Sequence, residues 1–225
     1  IGVDNADKLF LLGESCIPTH NSTVSSMYLL WFAIFHFDKT ILIASNKNKG
    51  AMEMVERIQY AYRNLPFWLK PGVTDDGWNK HGIKFDNESS IESEATSEGS
   101  GRGQSISLLY LDEFAFVPPA IAEEFWSSIA PTLSTGGSCI ISSTPNGDMN
   151  IFATLWRGAL VEANDFVPYR VTWDEPPGRD EKFKENMIAK IGERKWMQEY
   201  ECEFLSSDAL LIDSLALANL TPLIN

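Results

Sequence analysis

Residues 107–117 read Ser-Leu-Leu-Tyr-Leu-Asp-Glu-Phe-Ala-Phe-Val, an apolar run that ends abruptly in two adjacent carboxylates, Asp112 and Glu113. Four to six apolar residues in a row suit a strand buried on both faces of a parallel sheet. Acids at the tip of such a strand stand where open α/β sheets bind ligands, beyond the carboxyl ends of the strands. Two carboxylates there can divide the work of hydrolysing a phosphate chain. Asp112 holds a hydrated Mg²⁺, and Glu113 polarises the attacking water. The alternative is a strand that ends in a solvated acidic turn.

The elements that must position these acids follow from hydrophobic spacing. Residues 22–37 predict a helix, with Val24, Met27, Leu30, Trp31, Ile34 and Phe35 at helical intervals. A short β-branched strand covers 40–44. A second helix covers 50–64 on Met54, Val55, Ile58, Ala61 and Tyr62, and Pro66 ends it. Residues 65–82 read as an irregular aromatic and Pro/Gly segment. Two strands, 82–87 and 90–94, flank an Asn87-Glu88-Ser89 turn, and a Ser/Gly-rich loop at 96–103 carries one cation, Arg102. After the acid-tipped strand come a helix near 120–128 and an apolar strand at 138–143 that runs into Thr144-Pro145-Asn146-Gly147. A helix near 150–162, a strand at 167–173 and a helical stretch across 181–202 complete the pattern. Alternating strands and helices imply an α/β fold with a mostly parallel sheet, and no internal repeat is visible.

Composition narrows the class. With 225 residues, 44% hydrophobic and 22% charged, the chain can bury a full core as an ordinary globular protein. No window approaches the roughly 18 apolar residues of a membrane span; the longest, 27–37, reads as a buried helix. The start, Ile1-Gly2-Val3-Asp4, lacks the basic n-region of a signal peptide. Cys16, Cys139 and Cys202, with His20, His36 and His81, have neither disulfide-framework nor zinc spacing, which suits a reducing cytoplasm. A net charge of −13 argues against a nucleic-acid footprint over the whole surface. It leaves room for a local basic track, or for a DNA-binding part outside this chain.

A P-loop enzyme, whose Walker B site the Asp112-Glu113 strand would form, also needs Gly-x-x-x-x-Gly-Lys-Ser/Thr before its first helix. There, backbone N–H groups and the Lys cradle the phosphates. Ser22-Thr23 are present, but Pro18-Thr19-His20-Asn21 stand where Gly-Lys belongs. His20-Asn21-Ser22 carries chemistry of its own. An Asn amide can attack its own carbonyl, form a succinimide and cut the chain after itself. The preceding His assists by proton transfer, and the following Ser hydroxyl takes over an acyl group. Residues 3–13 and 16–21 resemble the C-terminal blocks of inteins, in which a β-hairpin ends in His-Asn. The sequence departs from them at Lys8, where many inteins carry a His. The resemblance implies that residues 1–21 are an intein segment that interrupts the phosphate loop after its Lys. Ser22 would then serve as splice nucleophile and later as a Mg²⁺-coordinating hydroxyl.

Residues 22–210 resemble the ATPase domain of the large terminase subunit of tailed bacteriophages. The resemblance rests on Ser22-Thr23-Val24 opening a helix, Gly101-Arg102-Gly103, Tyr110-Leu111-Asp112-Glu113-Phe114-Ala115-Phe116, and Ser142-Ser143-Thr144-Pro145-Asn146-Gly147. Residues 169–173 followed by Gln198-Glu199-Tyr200-Glu201-Cys202-Glu203-Phe204 fit the family's domain end. It implies a RecA-like (ASCE) P-loop sheet flanked by helices, lacking its N-terminal part, with residues 22–207 as ATPase domain and 208–225 leading toward a nuclease domain. It implies ATP and Mg²⁺ as cofactors, bound through Ser22, Thr23 and Asp112, with Glu113 as general base and Arg102 as an arginine finger. Ser143, Thr144 and Asn146 fall on the family's coupling motif. The implied partners are double-stranded viral DNA, the portal protein, the small terminase subunit and further copies in a ring on the procapsid, in the cytoplasm of an infected bacterium and away from membranes.

Read residue by residue, alternatives stand beside these roles. Ser-Thr-Pro-Asn-Gly can be a turn that closes a strand, and Arg102 a solvated loop cation. Trp68, Trp78 and Trp126 read as core or interface, and 181–195 as a solvated face. For the whole chain the competing readings are the C-terminal half of a split intein with its extein, a P-loop helicase, or a scaffold without hydrolysis.

Overall fold

The computed structural model describes residues 10–12, 17–19, 21–97, 103, 105–134, 136–176 and 178–206. Two three-residue strands come first, β1 (Phe10–Leu12) and β2 (Ile17–Thr19). They pair antiparallel with Phe10 opposite Thr19 and Leu12 opposite Ile17.

A six-stranded sheet follows, interleaved with helices: α1 (Asn21–Phe35), β3 (Thr40–Ser45), α2 (Asn48–Asn64), β4 (Val73–Asn79), β5 (Gly82–Phe85), β6 (Ser90–Ala95), β7 (Leu108–Asp112), α3 (Pro119–Leu133) and β8 (Ser138–Ser142). Its order is β4-β5-β6-β3-β7-β8. The pairs β6/β3, β3/β7 and β7/β8 are parallel, and β4/β5 and β5/β6 antiparallel. The expected mostly parallel sheet is present, with an antiparallel extension at one edge.

Burial explains the central strands. Ile41, Leu42, Ile43, Leu109 and Leu111 are wholly buried, as strands covered on both faces must be. Ile41, Ile43, Leu108 and Tyr110 join one core with Leu29, Leu30 and Ala33 of α1 and Met54, Val55 and Ile58 of α2. Each fully buried Ile or Leu contributes about 1.5–3 kcal/mol, so this inner layer holds β7 rigidly. By the two-residue period, Leu109 and Leu111 point to the opposite face of the sheet. Beyond β7, Phe114 packs on Phe125 of α3, with ring centroids 6.1 Å apart.

Three sequence expectations require correction in this part. The helix at 22–37 is Asn21–Phe35, and it is not buried all round. Ser26, Leu29, Leu30 and Ala33 face inward, while Met27, Tyr28, Trp31 and Phe35 are exposed. Apolar residues on every side of α1 left periodicity nothing with which to choose a face. The segment 65–82 contains a strand, β4, which its two acids and Gly77 disguised. Gly77 lies in the irregular stretch of the β4/β5 pairing, where a Cβ would strike Thr74 and the Lys84 carbonyl. Trp68 is exposed, which excludes the core as its place, whereas Trp78 packs at a tilt on Tyr62 (5.7 Å) and Trp126 on Phe114 (6.4 Å).

The described residues from Thr144 onward form a second compact unit. It holds α4 (Ile151–Leu160), α5 (Glu181–Ile191) and α6 (Glu193–Glu199). Trp173, Trp196 and Tyr200 make its core, with Trp196 and Tyr200 stacked at 4.4 Å. The helical stretch expected over 181–202 is present as two helices divided at Gly192 (φ 81°), a backbone conformation that glycine adopts without strain. The segment 167–173 forms no strand among the described residues. Pro168 interrupts it, and Val167 and Tyr169 project into solvent.

Candidate active site

Strand register draws one row across the carboxyl end of the sheet. Ala95 of β6 lies opposite Ser45 of β3, Ser45 opposite Asp112 of β7, and Asp112 opposite Ser142 of β8. Asp112 is thus the one ionisable side chain in a ledge of small residues, at the end of an open parallel sheet where ligands bind.

Immediately after this row the chain turns. Glu113 adopts φ 53°, ψ 40°, left-handed backbone that a non-glycine residue holds at a cost of about 1–3 kcal/mol. Two bonds fix it there. The Glu113 N–H donates to the Ser142 carbonyl at 2.7 Å, and two residues on, the Ala115 N–H donates to Ser143 Oγ at 3.1 Å. The second acid is therefore tied to the end of β8 as well as to its own strand.

Tyr110 lies two residues before Asp112, hence on the same face of β7. It is 1% exposed. Its hydroxyl donates to Asp112 Oδ1 at 3.4 Å, and the side chains of Ser25 of α1 and Ser142 of β8 lie near enough to act on it. Burial pushes the Tyr110 phenol well above its ordinary range, and the Asp112 charge adds to this. Burial likewise raises the Asp112 carboxyl, against the opposing pull of the Tyr110 hydrogen bond and of the Arg57 charge.

Ser25 brings the opening of α1 near the Tyr110 hydroxyl. Ser22 precedes Ser25 by three residues and so shares its side of the helix. Ser26 Oγ donates to the Ser22 carbonyl at 2.6 Å, which ties the first turn together. The structure therefore gathers Asp112, Glu113 and Ser143 at one sheet end, and Ser22 and Thr23 lie in the first turn of the helix that carries Ser25. Thr144 and Asn146 belong to the second unit. There the Asn146 carbonyl accepts from Asn150 Nδ2 at 2.8 Å, and the Pro145 carbonyl from Gln198 Nε2 at 2.7 Å. His20 and Arg102 lie outside the described residues, as does the side chain of Asn21. Tyr110, Ser25 and Ser142 were absent from the sequence-based set. The one signal for them was a phenol two residues before the acid on an otherwise aliphatic strand.

The model of the family "terminase large subunit, T4likevirus-type, N-terminal" matches residues 21–217. The chain belongs to this family. The large terminase ATPase domain of Thermus phage P74-26 is similar at 18% identity and TM-score 0.56, over 82% of this chain and 84% of that one. The large terminase of a second thermophilic bacteriophage, solved in complex with ADP, aligns at 15% identity and TM-score 0.59. That of bacteriophage HK97 aligns at 16% and 0.58. These two matches cover 80% and 83% of this chain, and the chain spans 44% and 38% of their lengths. At such identities the likeness establishes the fold: that of a phage large terminase ATPase domain.

Proposed function

We propose that this chain is the ATP-hydrolysing core of a DNA-packaging motor, a large terminase that translocates double-stranded viral DNA into a procapsid. The observation that carries the reading is the register row at the sheet's carboxyl end, with Asp112 half-buried in it and Glu113 exposed just beyond. One strand end thus offers a metal-holding carboxylate and, next to it, a differently oriented base. The thermophilic-phage terminase solved with ADP and with ATP-γ-S supports a nucleotide as ligand.

The residues present fit Mg²⁺. Asp112 is a half-buried carboxylate whose partial desolvation a cation would relieve, and Ser45 and Ser142 flank it in the register row. No cluster of three His, Cys, Asp or Glu is found among the described residues. Asp112 and the Ser22 hydroxyl would hold a Mg²⁺ that keeps most of its waters. It would neutralise charge on the phosphates. Glu113 orients the water, Thr23 supports the phosphates from the helix opening, and Arg102 stabilises developing charge. Ser143, Thr144 and Asn146 couple hydrolysis to movement. The portal protein, the small subunit and further copies in a ring are the partners this role calls for, in the cytoplasm of the infected host. No helix among the described residues is long and apolar enough to cross a membrane.

The Gly-Lys of the phosphate loop comes, in this reading, from a segment ahead of an intein. Three features support it. The family match begins at residue 21, next to the proposed Asn21/Ser22 junction. The antiparallel β1/β2 pair fits the hairpin of an intein C-terminal block. Finally, β8 has no outer neighbour among the described residues, and its Ile140 is 36% exposed, so a strand that leads to Gly-Lys has a free edge to join. Without that Lys the chain by itself is expected to lack Mg²⁺-dependent ATPase activity.

The test is the coding sequence directly upstream of Ile1. An open frame that encodes the rest of an intein, preceded by a strand and Gly-Lys, supports both splice junction and motor. A start codon close by points to a split intein with its partner elsewhere. If neither is present, the scaffold without hydrolysis becomes the better account.

A further inference from the structure

A buried phenol on an interior strand needs a reason, because an unbonded hydroxyl there loses its hydration for nothing. Tyr110 has its hydroxyl at the one place where three elements converge: Asp112 on its own strand, Ser25 on α1 and Ser142 on β8. A phenol hydroxyl carries one hydrogen and two acceptor sites. Donating its hydrogen to Asp112 Oδ1, it turns its acceptor sites to the Ser25 and Ser142 hydroxyls beside it. Phe would fill nearly the same volume and make no such bond. The neighbours Leu108 and Leu111 serve the core without polar atoms.

We propose that Tyr110 is a positioning residue for the Asp112 carboxylate. Its hydroxyl fixes which oxygen of Asp112 faces the sheet and which is presented to the metal, and it sets that choice by the placement of the α1 opening and the β8 end. The inference rests on the nucleotide-hydrolysing reading of this site. The geometry suits the role. The 3.4 Å contact is long for O–H···O, as bonds of this kind commonly are before ligand binds. The same hydroxyl also lies near Ser25 of the helix whose first turn carries Ser22, so the carboxylate and the helix opening proposed to share one cation both neighbour one atom. A partner of this kind behind a metal ligand typically accounts for about 10–100-fold in metal affinity. For so long a contact we expect the lower end, about tenfold.

The experiment titrates Mn²⁺ by electron paramagnetic resonance, with ATP present, into the enzyme that carries Gly-Lys ahead of Ser22, as wild type, Y110F and D112N. In parallel, a fluorescent ATP analogue is bound in EDTA. Y110F is expected to weaken Mn²⁺ about tenfold, while metal-free nucleotide binding stays unchanged, a split that loosened packing would not produce. If Y110F matches wild type within about twofold while D112N loses the metal, Tyr110 is core only and the proposal fails, with Asp112's role intact. If D112N matches wild type, or wild type takes up no metal, Asp112 is not a metal carboxylate and both readings fall. Should Y110F unfold, S25A removes one of the two donors that hold the Tyr110 hydroxyl. It is expected to weaken Mn²⁺ in the same direction, and wild-type affinity in S25A would overturn the proposal.

Discussion

The Ser142 carbonyl accepts the Glu113 N–H at 2.7 Å, so the residue assigned to water activation is anchored to the strand that leads into the Ser143-Thr144 motif. A shift of β8 along β7 would rotate Glu113. The left-handed backbone at this position is held by that bond and not by the preference of a glutamate. E113G should therefore leave the fold as stable as wild type, or more stable by up to about 1 kcal/mol, relief of strain outweighing the added chain entropy. In the enzyme that carries Gly-Lys ahead of Ser22, E113Q should keep stability within about 0.5 kcal/mol and lower kcat by about 10²–10⁴-fold. Urea denaturation paired with ATPase kinetics checks both. A strongly destabilised E113G would show that the backbone here is unstrained.

Asp112 should make the protein less stable at neutral pH than it would be with a neutral side chain. Burial raises its folded-state value above the ordinary 3.8, so between the two values the folded protein holds more protons than the unfolded chain. Stability then falls as pH rises through that window and stays reduced above it. D112N is accordingly expected to be the more stable protein at pH 7.5, with the difference shrinking as pH approaches 4. Denaturant midpoints for both proteins across that range decide it. A D112N less stable than wild type at neutral pH would contradict burial as the dominant cause.

Cys139 of β8 should be inert although its strand lies at the sheet edge. Burial pushes its thiol up from 9.0 to about 12. Three units correspond to about a thousandfold less thiolate at pH 8, and only the thiolate reacts. Labelling by a disulfide reagent is expected to be about a thousandfold slower in the native chain than in urea, read by mass at Cys139. Rapid native labelling would mean that β8 opens locally.

How far the sequence carried depended on whether an element's pattern pointed in one direction. α2 was legible, since Met54, Val55 and Ile58 form one buried stripe between polar residues. The strand ending at Asp112 was legible because continuous apolar residues bounded by acids have few other uses. α1 was found, but not its inner face, because aromatic residues surround it. The apparent strand at 167–173 failed because alternation predicts a face, and no ladder supplied the face with a partner. Asp112 and Glu113 were visible as acids at a strand tip. Their different backbone geometry was not, since it is imposed by Ser142 and Ser143 from another strand. Tyr110 was invisible as a polar residue for the same reason: its partners Ser25 and Ser142 come close only when the chain folds.

The Asn21/Ser22 junction gives the last prediction. If His20 and Asn21 act as the end of an intein, succinimide formation at Asn21 releases residues 1–21 from the purified chain over hours to days. The departure from the usual pattern at Lys8 makes slow release the expectation. Intact-mass spectrometry should show a growing species that begins at Ser22 in the wild type, and N21A, which has no side-chain amide to cyclise, should keep its full mass. H20A should slow the release without abolishing it, because proton transfer assists the cyclisation and does not create the nucleophile. Equal persistence of full-length mass in wild type and N21A would count against active cleavage. Equal loss in both would assign the cut to a contaminating protease.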